Sequence, residues 1–263
     1  MIQEFTSGRY LTIYVLAYEN AECVRALLGS LVPLNRTDVC VVVADNSDQT
    51  TNVRNVVEEF VSSDPDRIRY MSHGVNLGLV GGILRPFEIV KSTYVWIVGA
   101  CNMFPQKALD VLMPHLHSRQ PDVLLHFENG LWRRRAITEE RTYESVISFL
   151  RDHSHSVACS INSMIYRTEK MRPLVGLGYE AASCLAPMAA MVYQGLEEKQ
   201  LKVLYLPLII FNRPERKRSH WSMLQLLGNL ACTFPRPGQR NLREIFFHEL
   251  NQTDAWIHFK YDD

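Results

Sequence analysis

The run Asp38 to Ala44, Asp-Val-Cys-Val-Val-Val-Ala, constrains this chain more than any other feature. So short and nearly unbroken an apolar run suits a strand covered on both faces, as strands of a parallel sheet are. It is one of a series. Tyr10 to Ala17, Ile68 to Met71, Tyr94 to Val98 and Val123 to His126 are further apolar runs. Between them, about Asn20 to Leu31, Thr51 to Val61, Gly78 to Val90 (despite Pro86) and Pro105 to His117 carry helical periodicity, the last with Pro at a first-turn position. Alternating strands and helices predict an α/β fold with a doubly wound, mostly parallel sheet. Such sheets bind ligands at the carboxyl ends of their strands, so the loops to watch begin near Ala17, Asp45, His73 and Gly99.

The second half is less regular. Val157 to Tyr166 and Lys202 to Leu206 read as strands, Ala181 to Leu196 as a small-residue helix, and Ser219 to Thr233 and Asn241 to Phe259 as amphipathic helices. No repeat or flexible linker divides the 263 residues. One domain is expected, with residues 1–126 as a ligand-binding half and 127–263 as a second half ending in helices. No apolar run reaches about 18 residues, and the first residues lack the order of a signal peptide. The six scattered cysteines form no Cys-x-x-Cys pair and read as small buried hydrophobes, which fits a cytoplasmic protein. With 28 basic and 28 acidic side chains, a whole-protein grip on nucleic acid is not expected.

Three of the four loops carry polar residues suited to a nucleotide. Tyr18 and Glu19 follow the first strand, and Asp45 follows the second, where a carboxylate can accept from a base imide or a ribose hydroxyl. The third loop, His73-Gly74-Val75-Asn76-Leu77-Gly78, leads to Gly81, Gly82 and Arg85. Glycines let backbone amides approach a phosphate or sugar closely. Each also has a plainer reading: Asp45 as a turn or helix cap, the glycines as close-packing residues. Neither a phosphate-binding Gly-x-x-x-x-Gly-Lys loop nor Gly-x-Gly-x-x-Gly is present.

Taken in order, these pieces resemble a known family. Leu11 to Glu22 is similar to the opening strand and Tyr-Asn loop of the GT-A-fold, family-2 glycosyltransferases. Val41 to Ser47 resembles their second strand with its base-binding aspartate. Ile68-Arg69-Tyr70, Asn76-Leu77-Gly78, Ile83-Leu84-Arg85 and Tyr94 to Gly99 continue in register. Ser160 to Arg167 and Val203 to Pro207 resemble later strands of the O-antigen and abequosyltransferase-like branch. The resemblance covers about residues 10 to 230. It implies a cytosolic enzyme of polysaccharide biosynthesis, at the inner face of a membrane or free of it. Such an enzyme moves a sugar from a nucleotide-diphosphate donor to a glycan or lipid-linked glycan acceptor, with inversion. Tyr18, Glu19 and Asp45 would hold the nucleoside, and Asn76, Gly78, Arg85 and Asn102 would line the ribose, sugar and diphosphate region. Arg216, Arg218 and His220 would cover the diphosphate, where the family often has a covering segment.

The chain departs from the family at the metal site. An Asp-x-Asp cluster normally follows the fourth strand and holds Mg2+ or Mn2+ through hard carboxylate oxygens. Here the stretch is Gly99-Ala100-Cys101-Asn102. No metal ligand is assigned, and whether Mg2+ or Mn2+ serves as a cofactor stays open. Two interpretations follow: a metal-independent enzyme that neutralises the diphosphate with cations, or a catalytically inactive domain that binds a nucleotide sugar or a protein partner. The family's general base stands at the start of the helix after the acceptor-side strand, and Glu180 matches it, with Asp152 as a weaker alternative. A glutamate at a helix N-terminus also has a purely structural reading.

His115-x-His117 and His153-x-His155 lack companion ligands and read as surface or helix-end histidines. Arg133 to Arg135 beside Trp132 read as an exposed loop. The stripe Trp221, Leu224, Leu227, Leu230 and Ala231 reads as core, with peripheral membrane contact as the alternative. The zero net charge is a cancellation: residues 199–243 hold nine Lys or Arg against Glu215 alone. That cationic stripe suits a diphosphate or an anionic membrane surface, or is solvated surface. The oligomeric state is not legible.

Overall fold

Strand β1 (Leu11–Ala17) is buried along nearly its whole length, with Ile13 and Val15 turned to one layer of helices and Tyr14 and Leu16 to the other. The computed structural model describes residues 2–31, 36–47, 52–105, 107–129, 137–153, 160–182 and 187–212. Strand β1 lies parallel between β2 (Val39–Asp45) and β4 (Tyr94–Gly99), Ile13 facing Val41 on one side and Trp96 on the other. Strand β3 (Ile68–Ser72) extends the sheet beyond β2. The chain runs outward from β1 to β3, then returns to the far side of β1 as β4. The carboxyl ends of β1 and β4 therefore flank a topological switch point, where α/β sheets open a ligand crevice.

Beyond β4 the sheet changes character. Strand β7 (Met164–Arg167) inserts antiparallel between β4 and β5 (Val123–Asn129), β8 (Val203–Asn212) lies parallel to β5, and the short β6 (Arg141–Tyr143) closes the edge. The order is β3-β2-β1-β4-β7-β5-β8-β6. This is the α/β, mostly parallel, doubly wound sheet that the sequence predicts.

A short α1 (Ile2–Thr6) precedes the sheet. Helices α2 (Ala21–Leu31), α3 (Asn52–Ser63) and α5 (Ala108–Arg119) cover one face, burying residues such as Val24, Val53 and Leu112 against Ile13, Val15 and Trp96. Helices α4 (Gly78–Ile89), α6 (Val146–Asp152), α8 (Val175–Glu180) and α9 (Pro187–Glu197) cover the other. A turn of helix, α7 (Thr168–Met171), and a 3-10 turn at Arg172–Leu174 lead into α8. Arg172 donates to the carbonyls of Phe87 and Val90, satisfying acceptors at the α4 C-terminus. No helix among the described residues is long and apolar enough to cross a membrane.

Four expectations shift. Helix α5 begins at Ala108 rather than Pro105, because Ala108 donates to the Pro105 carbonyl in a turn that delivers Ala108 and Leu109 to the core. The strand read over Val157 to Tyr166 is confined to Met164–Arg167, since residues 160–163 turn to bring Asn162 against β4 and 154–159 lie outside the described residues. The helix read from Ala181 begins at Pro187 and is buried on every side, while Glu180 ends the separate α8. Of the two readings of His153, helix-end or surface, the first holds and the second does not: it caps the C-terminus of α6 and is 1% exposed, ringed by Tyr143, Phe149 and Tyr205. The readings over Ser219 to Thr233, Asn241 to Phe259, Trp132 to Arg135 and His155 lie outside the described residues.

Candidate active site

Asp45 ends β2 with 1% of its surface exposed, and both carboxylate oxygens accept hydrogen bonds. Oδ1 takes the Ser47 amide at 3.0 Å and the Ser47 hydroxyl at 2.6 Å, and Oδ2 takes the Tyr70 hydroxyl at 3.0 Å. Ser47 Oγ in turn accepts from the Glu19 N–H at 3.2 Å, so a relay joins the loops after β1 and β2. Glu19 adopts φ of +52°, which costs a non-glycine residue about 1 kcal/mol or more. Burial, then the Asp45 charge, raises the Tyr70 phenol above its ordinary pKa, so Tyr70 remains a donor. Tyr18, beside Glu19, is 51% exposed, and Val75, Leu77 and Met103 on the neighbouring loops, with Leu79 in the first turn of α4, add exposed apolar surface.

The loop before α4 is held by Asn46. Its Oδ1 accepts from Leu77 N–H at 2.9 Å and its Nδ2 donates to Gly78 O at 3.0 Å and Asn76 Oδ1 at 3.2 Å. Asn76 Oδ1 also takes the Gly78 N–H at 2.8 Å, and Gly78 has φ of +67°, a conformation that suits glycine. The sequence-named Asn76 and Gly78 are thus brought beside the β2 carboxyl end. Arg85 stands two turns along α4, exposed and ion-paired with Glu88 at 2.7 Å. Glu88 also accepts from Tyr179 of α8 at 3.0 Å, which ties Arg85 to the helix that ends at Glu180. His73 faces the Tyr14 hydroxyl at 3.5 Å, and burial, then Arg85, lowers its pKa.

The turn after β4 is closed by neutral groups. Ala100 N–H donates to Leu16 O at 3.1 Å, and Asn20 donates to Cys101 Sγ at 3.1 Å. Asn102 Nδ2 donates to Gly99 O at 2.8 Å and to Asn162 Oδ1 at 3.1 Å. Asn162 Oδ1 takes the Gly99 N–H at 2.9 Å, and its carbonyl takes the Trp96 indole N–H at 2.8 Å. These donors do not fit Mg2+ or Mn2+, which call for several anionic or carbonyl oxygens. Among the described residues no group of three or more His, Cys, Asp or Glu could hold a metal ion.

Glu180 is exposed at the C-terminal end of α8, so the helix-start reading does not apply to it. Asp152 is committed elsewhere: Arg141 and Tyr143 reach it at 2.7 and 2.8 Å, and these bonds outweigh burial and hold its pKa below the usual carboxylate range. His117 stacks on Tyr10 at 3.9 Å, away from these loops. Of the cysteines described, Cys40 is buried, while Cys23 and Cys101 are partly exposed. Arg216, Arg218 and His220 lie outside the described residues. Sequence reasoning missed Asn46, Ser47, Tyr70 and Asn162 as site residues. The first two sit in the very turn that drew notice to Asp45, whereas Asn162 carries no local signal.

The strand order, with a switch point between β1 and β4 and a buried carboxylate at the end of β2, marks this chain as one of the ligand-binding class of open α/β sheets. Within that class, residues 12–171 match the family model described as glycosyl transferase family 2, and the chain belongs to that family. No curated protein matches it at the sequence level. Among solved structures, Staphylococcus aureus TarS 1–349 in complex with UDP-GlcNAc has a TM-score of 0.67 at 15% identity, over 94% of this chain and 73% of that one. The mannosyltransferase PcManGT of Pyrobaculum calidifontis, with GDP-Man and Mn2+, has a TM-score of 0.62 at 12% identity, over 96% and 72%. Glucosyl-3-phosphoglycerate synthase of Mycobacterium tuberculosis, with Mn2+, UDP and glucosyl-3-phosphoglycerate, has 0.53 at 13%, over 97% and 84%. The chain spans 59% of TarS 1–349 in another crystal structure and 44% of TarS in a third. At these identities the likeness establishes the shared GT-A fold.

Proposed function

We propose that this protein is a glycosyltransferase that moves a sugar from a nucleotide-diphosphate donor to a glycan or lipid-linked glycan acceptor, with inversion. The observation that carries the reading is Asp45, buried beside the switch point with both carboxylate oxygens fixed by Ser47 and Tyr70. The neighbours' ligands, UDP-GlcNAc, GDP-Man and UDP, add support. Asp45 accepts from the base or ribose, with Tyr18 and Glu19 beside it. Asn76, Gly78, Arg85 and Asn102 line the path to the sugar and diphosphate, and Arg216, Arg218 and His220 cover the diphosphate. Glu180 takes the acceptor hydroxyl proton as that oxygen bonds to the anomeric carbon. The bond from that carbon to the diphosphate breaks, and the nucleoside diphosphate leaves. With no carboxylate after β4, cationic side chains offset the leaving-group charge, and the reaction proceeds without a metal held at that turn. The work belongs to polysaccharide biosynthesis in the cytosol, and the nine basic residues of 199–243 suit a diphosphate or an anionic membrane surface.

The neutral turn also favours a second reading, a catalytically inactive domain that binds a nucleotide sugar or a protein partner. Thermal shift against a panel of nucleotide sugars, each with Mn2+ or EDTA, separates the readings. Stabilisation by one donor, indifferent to EDTA, with donor hydrolysis lost in Glu180→Gln, is the result expected of the enzyme. Stabilisation without turnover supports the binder, and no stabilisation by any nucleotide removes the donor site altogether.

A further inference from the structure

The Gly99 N–H can only donate, so the Asn162 atom facing it at 2.9 Å is the amide oxygen. The Gly99 carbonyl can only accept, so the Asn102 atom facing it at 2.8 Å is the amide nitrogen. One backbone unit thus fixes both side-chain amides end for end, and the contact from Asn102 Nδ2 to Asn162 Oδ1 at 3.1 Å agrees with that orientation. An aspartate at position 102 would set carboxylate oxygen against two acceptors. The turn is built around an amide, and Asn162 is its counterpart.

The clasp leaves two groups over: Asn102 Oδ1, an acceptor, and Asn162 Nδ2, a donor. Neither has a hydrogen-bond partner among the described residues. The two side chains belong to residues only 5% and 8% exposed, yet neither atom is shut off from solvent. A cation would want acceptors alone, and a phosphate donors alone. One acceptor with one donor suits a neutral hydroxyl, which gives one hydrogen bond and takes another. A rigid pair of this kind discriminates strongly, because a ligand lacking the hydroxyl leaves buried amide groups unsatisfied.

We propose that Asn102 Oδ1 and Asn162 Nδ2 form a subsite that reads a hydroxyl of the donor sugar, making Asn162 a specificity-determining residue. This rests on the nucleotide-sugar reading above. The pair stands in the turn after β4, whose residues Gly99 to Asn102 include no carboxylate, so the turn selects among sugars rather than holding a cation.

The test is calorimetric binding of UDP, GDP, UDP-glucose, UDP-galactose, UDP-GlcNAc and GDP-mannose to the full chain and to Asn162→Asp. The aspartate keeps the acceptor that Gly99 and Asn102 need and removes the Nδ2 donor. The quantity read is the affinity for the preferred nucleotide sugar divided by that for its own nucleoside diphosphate, which cancels the effect of the added charge on the diphosphate. A fall of about tenfold in this ratio is expected, the loss of one hydrogen bond. Deoxy analogues of the preferred donor, bound to the unaltered protein, should show one hydroxyl position whose removal costs about tenfold, and they decide the matter should the variant not fold. Nucleotide sugars that bind with an unmoved ratio and no sensitive hydroxyl overturn the subsite alone. If no nucleotide binds the unaltered protein, the donor-site reading falls and the subsite with it.

Discussion

The Tyr70 hydroxyl donates to Asp45 Oδ2 at 3.0 Å, so a residue of the edge strand β3 holds the carboxylate at the end of β2. Asp45→Asn should leave the fold nearly intact, within about 1.5 kcal/mol, because a hydroxyl can reverse and accept from the new amide. Nucleotide affinity should nevertheless fall by about tenfold or more, since an uncharged amide is the weaker acceptor. Tyr70→Phe should do the opposite, costing about 1–3 kcal/mol of stability by removing a donor from a buried carboxylate. Urea unfolding and calorimetric titration of the two variants check the pair.

Asn46 holds three partners across the loop that precedes α4. Asn46→Ala should cost about 2–3 kcal/mol, at roughly 1 kcal/mol per lost hydrogen bond. Amide exchange at Leu77 should accelerate well beyond that at the β1 amides. Equal acceleration at both sites would mean that the loss is global and that Asn46 does not hold this loop in particular.

Stability should fall in mild acid. Burial pushes the His153 pKa down from an ordinary 6.5 to about 4, with Asp152 opposing and Arg141 assisting. The unfolded chain therefore binds a proton that the folded chain refuses. The contribution is complete above about pH 6.5, declines as pH falls, and is gone near pH 4, a span worth about 3 kcal/mol. His153→Phe should flatten the stability profile between pH 7 and 5, read by urea unfolding at each pH. A variant profile as steep as the original would place the titrating group elsewhere.

A methyl group added at Gly178 would lie 2.5 Å from Leu84 and 3.0 Å from Met191. Gly178→Ala should therefore pry α8 from α4 at a cost of about 1–3 kcal/mol. Because Glu180 stands two residues on, turnover should drop by more than donor affinity does. Comparing kcat with the donor dissociation constant in the folded variant measures this.

The first half of the fold was legible because β1, β2 and β4 are covered on both faces and so spell themselves out as unbroken apolar runs. Asp45, Asn76 and Gly78 were legible for a related reason, since they occupy the turns that such runs must end in. The second half was not. Strand β7 is four residues long and antiparallel, β6 is three residues long and mostly exposed, and α8 is a six-residue helix set by packing of Gly178 rather than by periodicity. Asn162 could not be found from sequence at all. It meets Gly99 only because β7 lies beside β4, a juxtaposition across 63 residues that no local pattern encodes.

The placement of β7 also bears on how the chain can acquire this shape. Strands β4 and β5 follow each other in sequence but never pair; the seam between them is filled by a strand arriving about 35 residues after β5 ends. A fragment ending at Asn129 would carry two apolar strands with bare, unmatched edges, an invitation to pair with other chains. The amide clasp at Gly99 is drawn shut by the same late arrival. Closure of the seam between β4 and β5 and closure of the clasp at Gly99 are therefore a single event, and a nascent chain has neither until β7 has been made.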